Sequence, residues 1–364
     1  MQDELISTQE SAVPENLLEP TAQETTPRPI FTFPPITSLW RRLFAWLVDV
    51  LIIGIIGILI GAVFGSYLRS IGPYGRLIGL IVVICYFGIQ NSKIGHGQTL
   101  GKKLLKIAVR DKNDQYISFG RSVVRILIIY VPVLVNGWSL PIFQNRFSSW
   151  LLSVLLFGLG GAILYTMVFN RITRQGLHDL LLGTYVVYLP GEPVETYPTS
   201  SRLHWTVSGV WIGIVALGTL VITIIAPSII SKTPLESVNN LYDLLQEDPR
   251  FFTVGVTDQT SFVSDGRKSR ALVITAWYKG EFGEEEGKQI IDEIAKIVLE
   301  NASDIDRYDG MQVTLTSAFD LGIASGHYSI WFAHSIEDWR KETYPANAPL
   351  GLFSALGAGA LALP

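Results

Sequence analysis

The feature that most constrains the fold of this chain is a set of apolar runs that contain no charged residue. These runs are residues 50–68, 77–92, 126–145, 147–170 and 205–231. A helix of roughly 17–25 such residues crosses the ~30 Å hydrocarbon core of a bilayer and satisfies its own backbone hydrogen bonds there. The sequence therefore predicts a polytopic α-helical membrane protein with about five transmembrane helices. Residues 77–92 reach the required length only if that helix begins near Pro73.

The two ends of the chain lack such runs. Residues 1–35 are polar and acidic, so we expect a disordered N-terminal tail and no signal peptide. Residues 343–364 end in an apolar stretch that is rich in Gly and Ala and too short to span, which predicts a flexible or membrane-surface tail. The single cysteine, Cys85, lies inside an apolar run, so no intrachain disulfide is possible.

Lys and Arg side chains are unevenly divided among the loops between the runs. One set of loops holds Arg28, Arg41, Arg42, eight basic residues from Lys93 to Arg125, and Arg171, Arg174 and Arg202. The alternate loops hold only Arg69, Arg76 and Arg146. Because short basic loops stay in the cytoplasm, we expect a multi-pass protein of a bacterial plasma membrane, with a cytoplasmic N-terminus and an extracytoplasmic C-terminal domain. If residues 205–231 lie flat or re-enter, that domain lies inside instead.

Residues 232–342 have the periodicities of a small soluble α+β domain. Helices are predicted after the capping box Thr233-Pro234-Leu235-Glu236 and over residues 284–300, and strands at about residues 251–256, 270–278, 311–317 and 327–333. This order predicts two layers, with the helices on one face of an antiparallel sheet. From residue 231 onward the chain holds 20 acidic and 11 basic residues, so the domain is acidic.

Arg42 and Asp49 are the most informative polar pair, because both fall at the start of the first predicted membrane helix. Seven residues separate them, which places them on nearly the same face and about 10 Å apart along the axis. An ionised carboxylate at that depth costs a few kcal/mol unless it is paired or hydrated. Three interpretations stay open: ion or proton handling, structural pairing of Asp49 with a neighbouring basic residue, and shallow insertion with Asp49 in water.

Three ordered blocks resemble the RDD family of membrane proteins, named for one arginine and two aspartates. The first is Trp40-Arg41-Arg42-Leu43-Phe44-Ala45-Trp46-Leu47-Val48-Asp49, in which Arg42, Ala45 and Asp49 match the family spacing. The others are Gly97-Gln98-Thr99-Leu100-Gly101-Lys102, and Gln175-Gly176-Leu177-His178-Asp179 followed by Gly183-Thr184 and Val186-Val187.

The resemblance covers about residues 36–190, a membrane domain with four of the predicted transmembrane helices. It implies that Asp179 is the second aspartate. The general activity of the family is unsettled: transport of unidentified ligands has been suggested for it, and some members look like sodium/proton antiporters. The fifth predicted helix, residues 205–231, and the soluble domain lie outside it.

Two further groups near these blocks are candidates for function. His178 and Asp179 could relay protons, because histidine titrates near neutral pH and a carboxylate fixes its tautomer, or they could only satisfy backbone donors in a loop. Lys102, Lys103 and Lys106 alternate with leucines at helical spacing, which predicts an interfacial helix whose lysines contact lipid headgroups. Residues 106–116 suggest a short hairpin.

The other motif signals argue against an enzyme. The segment from Gly97 to Lys103 has three residues between its glycines, and Lys103 stands where a phosphate loop needs Ser or Thr. An acidic turn at residues 304–310 is one residue off the spacing of a calcium loop. The five histidines and one cysteine show no zinc spacing, and no serine has a nucleophile-elbow context. We therefore expect no catalytic residue, metal, cofactor or nucleic-acid partner.

These observations leave two hypotheses. The leading one is a protein that moves an ion or small solute across the lipid bilayer, for example Na+ against H+. Its polar centre would be Arg42 paired with Asp49, assisted by Asp179 and His178, and so few polar groups suggest a homo-oligomer. The alternative is a membrane-anchored scaffold or sensor whose extracytoplasmic domain binds a protein partner.

Overall fold

The apolar part of the chain folds into helices, and the acidic C-terminal part folds around a four-stranded sheet. The computed structural model describes residues 33–138, 145–192, 194–230, 236–262 and 268–341. Within these ranges, three helical stretches are long and apolar enough to cross a membrane, Leu39–Gly88, Arg146–Phe169 and Arg202–Ile225. The predicted count of five is thus not confirmed. The two predicted tails, apart from residues 33–35, and the capping box before Glu236 lie outside the described residues.

The first stretch takes in both of the first two predicted helices. Its parts are helix α1 (Leu39–Ile71), a 3₁₀ turn (Gly72–Tyr74), helix α2 (Gly75–Val83) and a π-helical segment (Ile84–Gly88). Gly72 has a φ of +49°, a conformation that disfavours a residue with a side chain, and Pro73 opens the turn. The sequence break near residue 70 is therefore a tight turn between two helices, and α1 extends well before residue 50.

The predicted helix at residues 126–145 differs most from the structure. Helix α4, Phe119–Val135, has 17 residues and takes in two arginines that the apolar run excluded. It begins early because the Ser118 hydroxyl caps it, accepting a hydrogen bond from the Arg121 amide at 3.3 Å. Arg121 and Arg125 both find partners inside the protein, so charge does not mark where this helix starts.

The stretch Arg146–Phe169 packs against helix α8, Arg202–Ile230, and the two agree with predicted helices to within a few residues. Its parts are helix α5 (Arg146–Ser153), a π-helical segment (Val154–Leu159) and helix α6 (Gly160–Phe169). Two indoles tie the helices together. Trp150 Nε1 donates to the carbonyl of Ala216 at 2.9 Å, and Trp211 Nε1 donates to that of Phe157 at 3.0 Å.

A two-stranded antiparallel sheet with two short helices packs beside the Leu39 end of α1. Its parts are helix α3 (Leu100–Leu104), strand β1 (Ile107–Asp111), helix α7 (Leu177–Leu182) and strand β2 (Thr184–Tyr188). The predicted turn is present, because the Asp111 amide donates to the Gln115 carbonyl at 2.9 Å, but the strand that pairs with β1 is β2, so the predicted local hairpin is wrong. The start of β1 is fully buried, and Val186 and Val187 supply the apolar partner that it needs.

The C-terminal domain packs its helices on one face of the four-stranded sheet. Its elements are α9 (Glu236–Gln246), β3 (Phe251–Phe262), β4 (Lys268–Tyr278), α10 (Glu284–Asn301), β5 (Gly310–Asp320), β6 (Ser325–Ser335) and α11 (Ile336–Lys341). The strand order is β3-β4-β5-β6, and β4 and β5 are parallel while the other pairs are antiparallel. The predicted antiparallel sheet is therefore mixed, because α10 carries the chain back so that β5 runs parallel to β4.

Candidate functional site

The carboxylate of Asp179 is the centre of a buried ion-pair cluster at the Leu39 end of α1. Arg125 Nε, from α4, donates to Asp179 Oδ1 at 2.9 Å, and Arg42 Nη1, from α1, donates to Oδ2 at 3.3 Å. The Thr184 hydroxyl, at the start of β2, adds a 2.6 Å bond to Oδ1. Asp179 is fully buried and both arginine side chains are nearly so. One carboxylate thus joins four elements of the fold.

The surroundings of Asp179 keep it ionised. Burial alone would raise the pKa of this carboxyl, but the charges of Arg125 and Arg42, together with the contact from His178, outweigh burial and hold the pKa well below its usual range. Burial lowers the pKa of His178 more than the charge of Asp179 raises it, so the imidazole is neutral near pH 7. The cluster therefore contains two cations and one anion.

His178 touches this cluster through one ring nitrogen. His178 Nε2 lies 3.4 Å from Asp179 Oδ2 and 3.3 Å from Arg125 Nη2. Its Nδ1 is buried and has no hydrogen-bond partner among the residues that the structure describes. The predicted proximity of His178 and Asp179 is thus present, whereas their role in proton relay stays a prediction.

Arg42 does not pair with Asp49 as the sequence suggested. Besides Asp179, its guanidinium donates to the carbonyls of Arg174 and Val186, the latter at 3.4 Å. The two side chains lie two turns apart on α1, and each meets nearer partners from elements that pack against that helix. The Arg42–Asp49 pairing on which the sequence-based mechanism depended is wrong.

Asp49 is buried and is held by uncharged donors. The Tyr86 hydroxyl donates to Oδ1 at 2.7 Å, the Thr99 hydroxyl to Oδ2 at 2.6 Å, and the backbone amide of Gly101 to Oδ1 at 2.8 Å. Tyr86 belongs to the π-helical segment, while Thr99 and Gly101 form the first turn of α3. Asp49 therefore fastens both elements to α1.

Close packing explains the small residues of the family blocks. A Cβ atom on Gly101 would lie 2.1 Å from the carbonyl oxygen of Ala45 and 2.9 Å from Asp49 Oδ1. Ala45 is fully buried at this contact. The spacing of Arg42, Ala45 and Asp49 thus places an ion pair, a close backbone approach and a helix cap on one face of α1.

The three lysines of the predicted headgroup contact point in different directions. Lys102 is partly buried, and its Nζ donates to Asn91 Oδ1. The pKa of Lys102 is lowered to about 7, chiefly by burial and also by the charge of Arg125, while the charges of Asp49 and Asp179 oppose the shift. Lys102 therefore faces the polar groups of the protein. Lys103 and Lys106 are exposed, and their contact with lipid stays a prediction.

A second feature joins the sheet domain to the helices. The turn between β5 and β6, residues 319–324, lies between α1 and α2, and it approaches both helices at glycines. A Cβ on Gly57 would lie 2.7 Å from Ala324 Cβ, and one on Gly79 would lie 1.7 Å from the carbonyl oxygen of Leu321. Leu321 is fully buried there. We call residues 319–324 the inserted hairpin.

An arginine and a hydrophobic cluster fix the inserted hairpin. Arg76 Nε donates to Asp320 Oδ2 at 2.8 Å, and its Nη1 donates to the carbonyl of Leu134 at 2.7 Å, which joins α2, the hairpin and α4. Ile323 packs into a cluster with Ile53 and also Tyr86, the residue that donates to Asp49. The tip of the hairpin and Tyr86 thus pack against one hydrophobic cluster, and Tyr86 also bonds to Asp49.

The inserted hairpin and the Asp179 cluster approach α1 from opposite ends. The sheet domain contacts the Ile71 end, where the Ser66 hydroxyl donates to Glu281 at 3.0 Å and Phe252 packs on Gly72. Arg42 lies near the Leu39 end, and the 33 residues of α1 extend about 50 Å at 1.5 Å per residue. The sheet domain therefore contacts one end of α1, and the Asp179 cluster lies at the other.

Sequence reasoning missed Arg125, Tyr86 and Thr99. Arg125 directly precedes an apolar run and resembles a helix boundary, although it is one of the two cations on Asp179. Tyr86 lies inside an apolar run, and Thr99 was noted only as part of a family block. The one available signal was that block, since Thr99 and Gly101 both stand in it.

Residues 36–183 match the model of the RDD family. This range contains Arg42, Ala45, Asp49, Gly101 and Asp179, so the match and the buried contacts coincide. No curated protein and no solved structure matches the chain. Residues 36–183 are therefore an RDD-family membrane region, and the C-terminal sheet domain is a separate region outside that match.

Proposed function

We propose that this protein is a membrane-anchored sensor or scaffold, in which the C-terminal sheet domain binds a partner and passes that event to the RDD region. The observation that carries the proposal is the inserted hairpin. A domain that served only as a tethered module would not need to bury Leu321 between two apolar helices. Because close-packed interiors switch between discrete arrangements more readily than they deform, a displaced hairpin must repack α1 against α2.

The hydrogen bonds of Asp49 and Asp179 support the same proposal, because they hold neighbouring helices and strands together. Asp49 and Asp179 each accept three or more hydrogen bonds, so donors from the protein itself satisfy both carboxylates in this arrangement. A buried charge persists when its partners satisfy it, and removal of one partner is strongly destabilising. Ile323 and Tyr86 pack against the same hydrophobic cluster, and Tyr86 donates to Asp49, which also accepts from α3; this is the route that we propose from the hairpin to α3.

Hydrogen exchange on the full-length protein in nanodiscs tests this coupling. The variant Gly79→Leu should expel the hairpin, because even a Cβ at that position meets the Leu321 carbonyl. We expect faster exchange in α2 and also at the Gly101 amide, which donates to Asp49. The matched control is Gly213→Leu on α8, where a Cβ meets no heavy atom within 4 Å. Unchanged exchange in α3 would refute transmission through the hairpin.

Orientation is part of the proposal. We place the Leu39 end of α1 in the cytoplasm of a bacterial cell and the sheet domain outside, because the exposed Lys103 and Lys106 lie on the side where basic loops concentrate. A membrane-impermeant maleimide should label Asp306→Cys and not Lys106→Cys in intact cells that carry Cys85→Ser. The reverse pattern would invert the topology.

Cation/proton exchange is a second candidate, favoured by the uncharged donors around Asp49 and by the nearby Lys102, whose pKa is lowered to about 7 by burial. Protonation of Asp49 would then weaken its bonds to Thr99 and Gly101 and release α3. The test is dissipation of a pH gradient by Na+, Li+ or K+ in proteoliposomes. Wild-type exchange that is lost in Asp49→Asn and kept in Asp306→Asn would establish it, whereas no exchange by folded protein would eliminate it.

A further inference from the structure

The outward face of the C-terminal sheet carries almost no charge. Helices α9 and α10 cover the other face, where Leu272, Ile274 and Val313 are fully buried. Alternate residues point away from those helices, and most of them are partly exposed. Over the described residues of β3 to β6, these outward positions hold Thr, Ser, Gln, Ala, Val, Gly, His and Trp, and their one charged residue is Asp320, which lies at the end of β5 and pairs with Arg76.

Two tryptophans lie on this nearly uncharged face. Trp277, on β4, is 37% exposed, and its ring lies 3.7 Å from where a Cβ of Gly255 would be. The missing side chain at Gly255 lets the indole lie across strand β3. Trp331 is partly exposed on β6, two strands away, which corresponds to a lateral spacing of roughly 10 Å.

Hydroxyl and amide groups fill the space between the two indoles. Thr275 pairs with Thr314, and Thr314 pairs with Trp331, so these residues form one row across three strands. Gln312 Nε2 donates to the Thr314 hydroxyl at 3.2 Å. The face therefore offers two flat aromatic surfaces with hydrogen-bonding groups between them.

The charge and polarity of the domain argue against anionic, cationic and apolar ligands for this face. An anionic chain would be repelled by a domain with 20 acidic and 11 basic residues from position 231 onward. A cationic partner would find its complement on Glu284, Glu285 and Glu286 of α10 and not on this face. An apolar partner would leave the threonines without hydrogen bonds.

We propose that this face binds a neutral glycan chain, whose C–H faces stack on Trp277 and Trp331 while its hydroxyls bond to Thr275, Thr314 and Gln312. The proposal rests on the proposed function, since it names the chemical class of the partner that the sheet domain senses. Two tryptophans whose backbones lie two strand spacings apart, with the Trp277 ring extending over β3, fit an extended chain that lies across the strands.

The test is binding of the full-length protein in nanodiscs to cellohexaose, maltohexaose and chitohexaose, with heparin as an anionic probe. We expect saturable binding of at least one neutral hexasaccharide, and a loss of roughly tenfold or more in Trp277→Ala and in Trp331→Ala, since buried indoles often dominate interfaces. Trp277→Tyr keeps an aromatic surface and should restore part of the affinity even if the alanine variant folds poorly. The control is Trp46→Ala, an exposed tryptophan on α1.

Three outcomes overturn the proposal: no binding of any neutral hexasaccharide, a preference for heparin, or glycan binding that both alanine variants retain. Failure here is distinct from failure of the proposed function, because the Gly79→Leu exchange experiment measures coupling without a ligand. Intact coupling without glycan binding removes only the glycan, while glycan binding without coupling removes only the transmission through the hairpin.

Discussion

Replacement of Asp179 by Asn should be the most destabilising single polar change in the RDD region. The substitution keeps the shape of the side chain but leaves Arg42 and Arg125, both almost completely buried, without their common anion. Breaking a buried ion pair from one side costs about 3–5 kcal/mol because a charge stays buried and uncompensated. We expect a loss of that size in the free energy of unfolding.

The assay is denaturant unfolding of the purified protein in micelles, followed by tryptophan fluorescence at several pH values. Because the pKa of Asp179 is lowered in the folded state, its stabilisation is complete above the unfolded pKa of about 4 and is lost only as pH falls through the folded value. The part of the Asp179→Asn deficit that arises from ionisation of Asp179 should therefore stay constant between roughly pH 5 and 8.

Two comparisons make this prediction sharp. Asp306→Asn removes an exposed pair with Arg340 and should change stability little. Arg42→Met combined with Asp179→Asn should cost less than the sum of the two single changes, because the double variant removes one of the cations that the single variant strands. A deficit below about 1 kcal/mol for Asp179→Asn would refute the view that this carboxylate holds the four elements together.

Three further predictions concern other contacts. Gly101→Ala should cost about 1–3 kcal/mol by thermal unfolding, since its Cβ meets the Ala45 carbonyl, whereas Gly120→Ala, in open space on α4, should be neutral. Stability of the wild type relative to Lys102→Met should rise with pH from about 7 toward the unfolded pKa of Lys102, because the unfolded lysine binds the proton that the folded one has lost; a flat difference would contradict the shift. Asp320→Asn should speed hydrogen exchange in the inserted hairpin through loss of the Arg76 pair, and equal protection would show that packing alone holds it.

The sequence predicted the identities of the buried charges better than their partners. Arg42, Asp49 and Asp179 were found because an intramembrane charge is rare and because their spacing resembled a family. Their pairing depends on tertiary structure, since Asp179 follows Arg42 by 137 residues. Proximity on one helix suggested Asp49 as the partner of Arg42, yet helices packed around α1 brought better partners to each.

The count of five transmembrane helices is not confirmed, and the start of α4 illustrates why apolar runs misplace helix boundaries. Charge-free runs locate apolar segments, but they end wherever a charged residue occurs, even if that residue is satisfied inside the protein. Arg125 is such a case, because Asp179 neutralises part of its charge within helix α4. Helix lengths set by buried ion pairs cannot be read from hydropathy alone.

The parallel pairing of β4 and β5 could have been predicted from the sequence. A strand, an 18-residue helix and a further strand, as at β4, α10 and β5, provide a crossover long enough for parallel pairing. The position of the inserted hairpin between α1 and α2 could not have been predicted from the sequence. Glycines at three- to four-residue spacing in apolar helices are typical of contacts between helices, and nothing in Gly57, Gly61 or Gly79 indicates that a β-turn fills the groove.

The inserted hairpin also sets the order in which this protein can be completed. Gly79 leaves the ribosome about 240 residues before Leu321, the residue that packs on it. At ~5–20 residues per second, the two helices wait roughly 12–48 s in the bilayer with their glycine groove unfilled. Membrane insertion of α1 and α2 and their final packing are thus separate events in time. A chain that stops before β6 lacks the complete inserted hairpin, so the groove between these two helices stays unfilled.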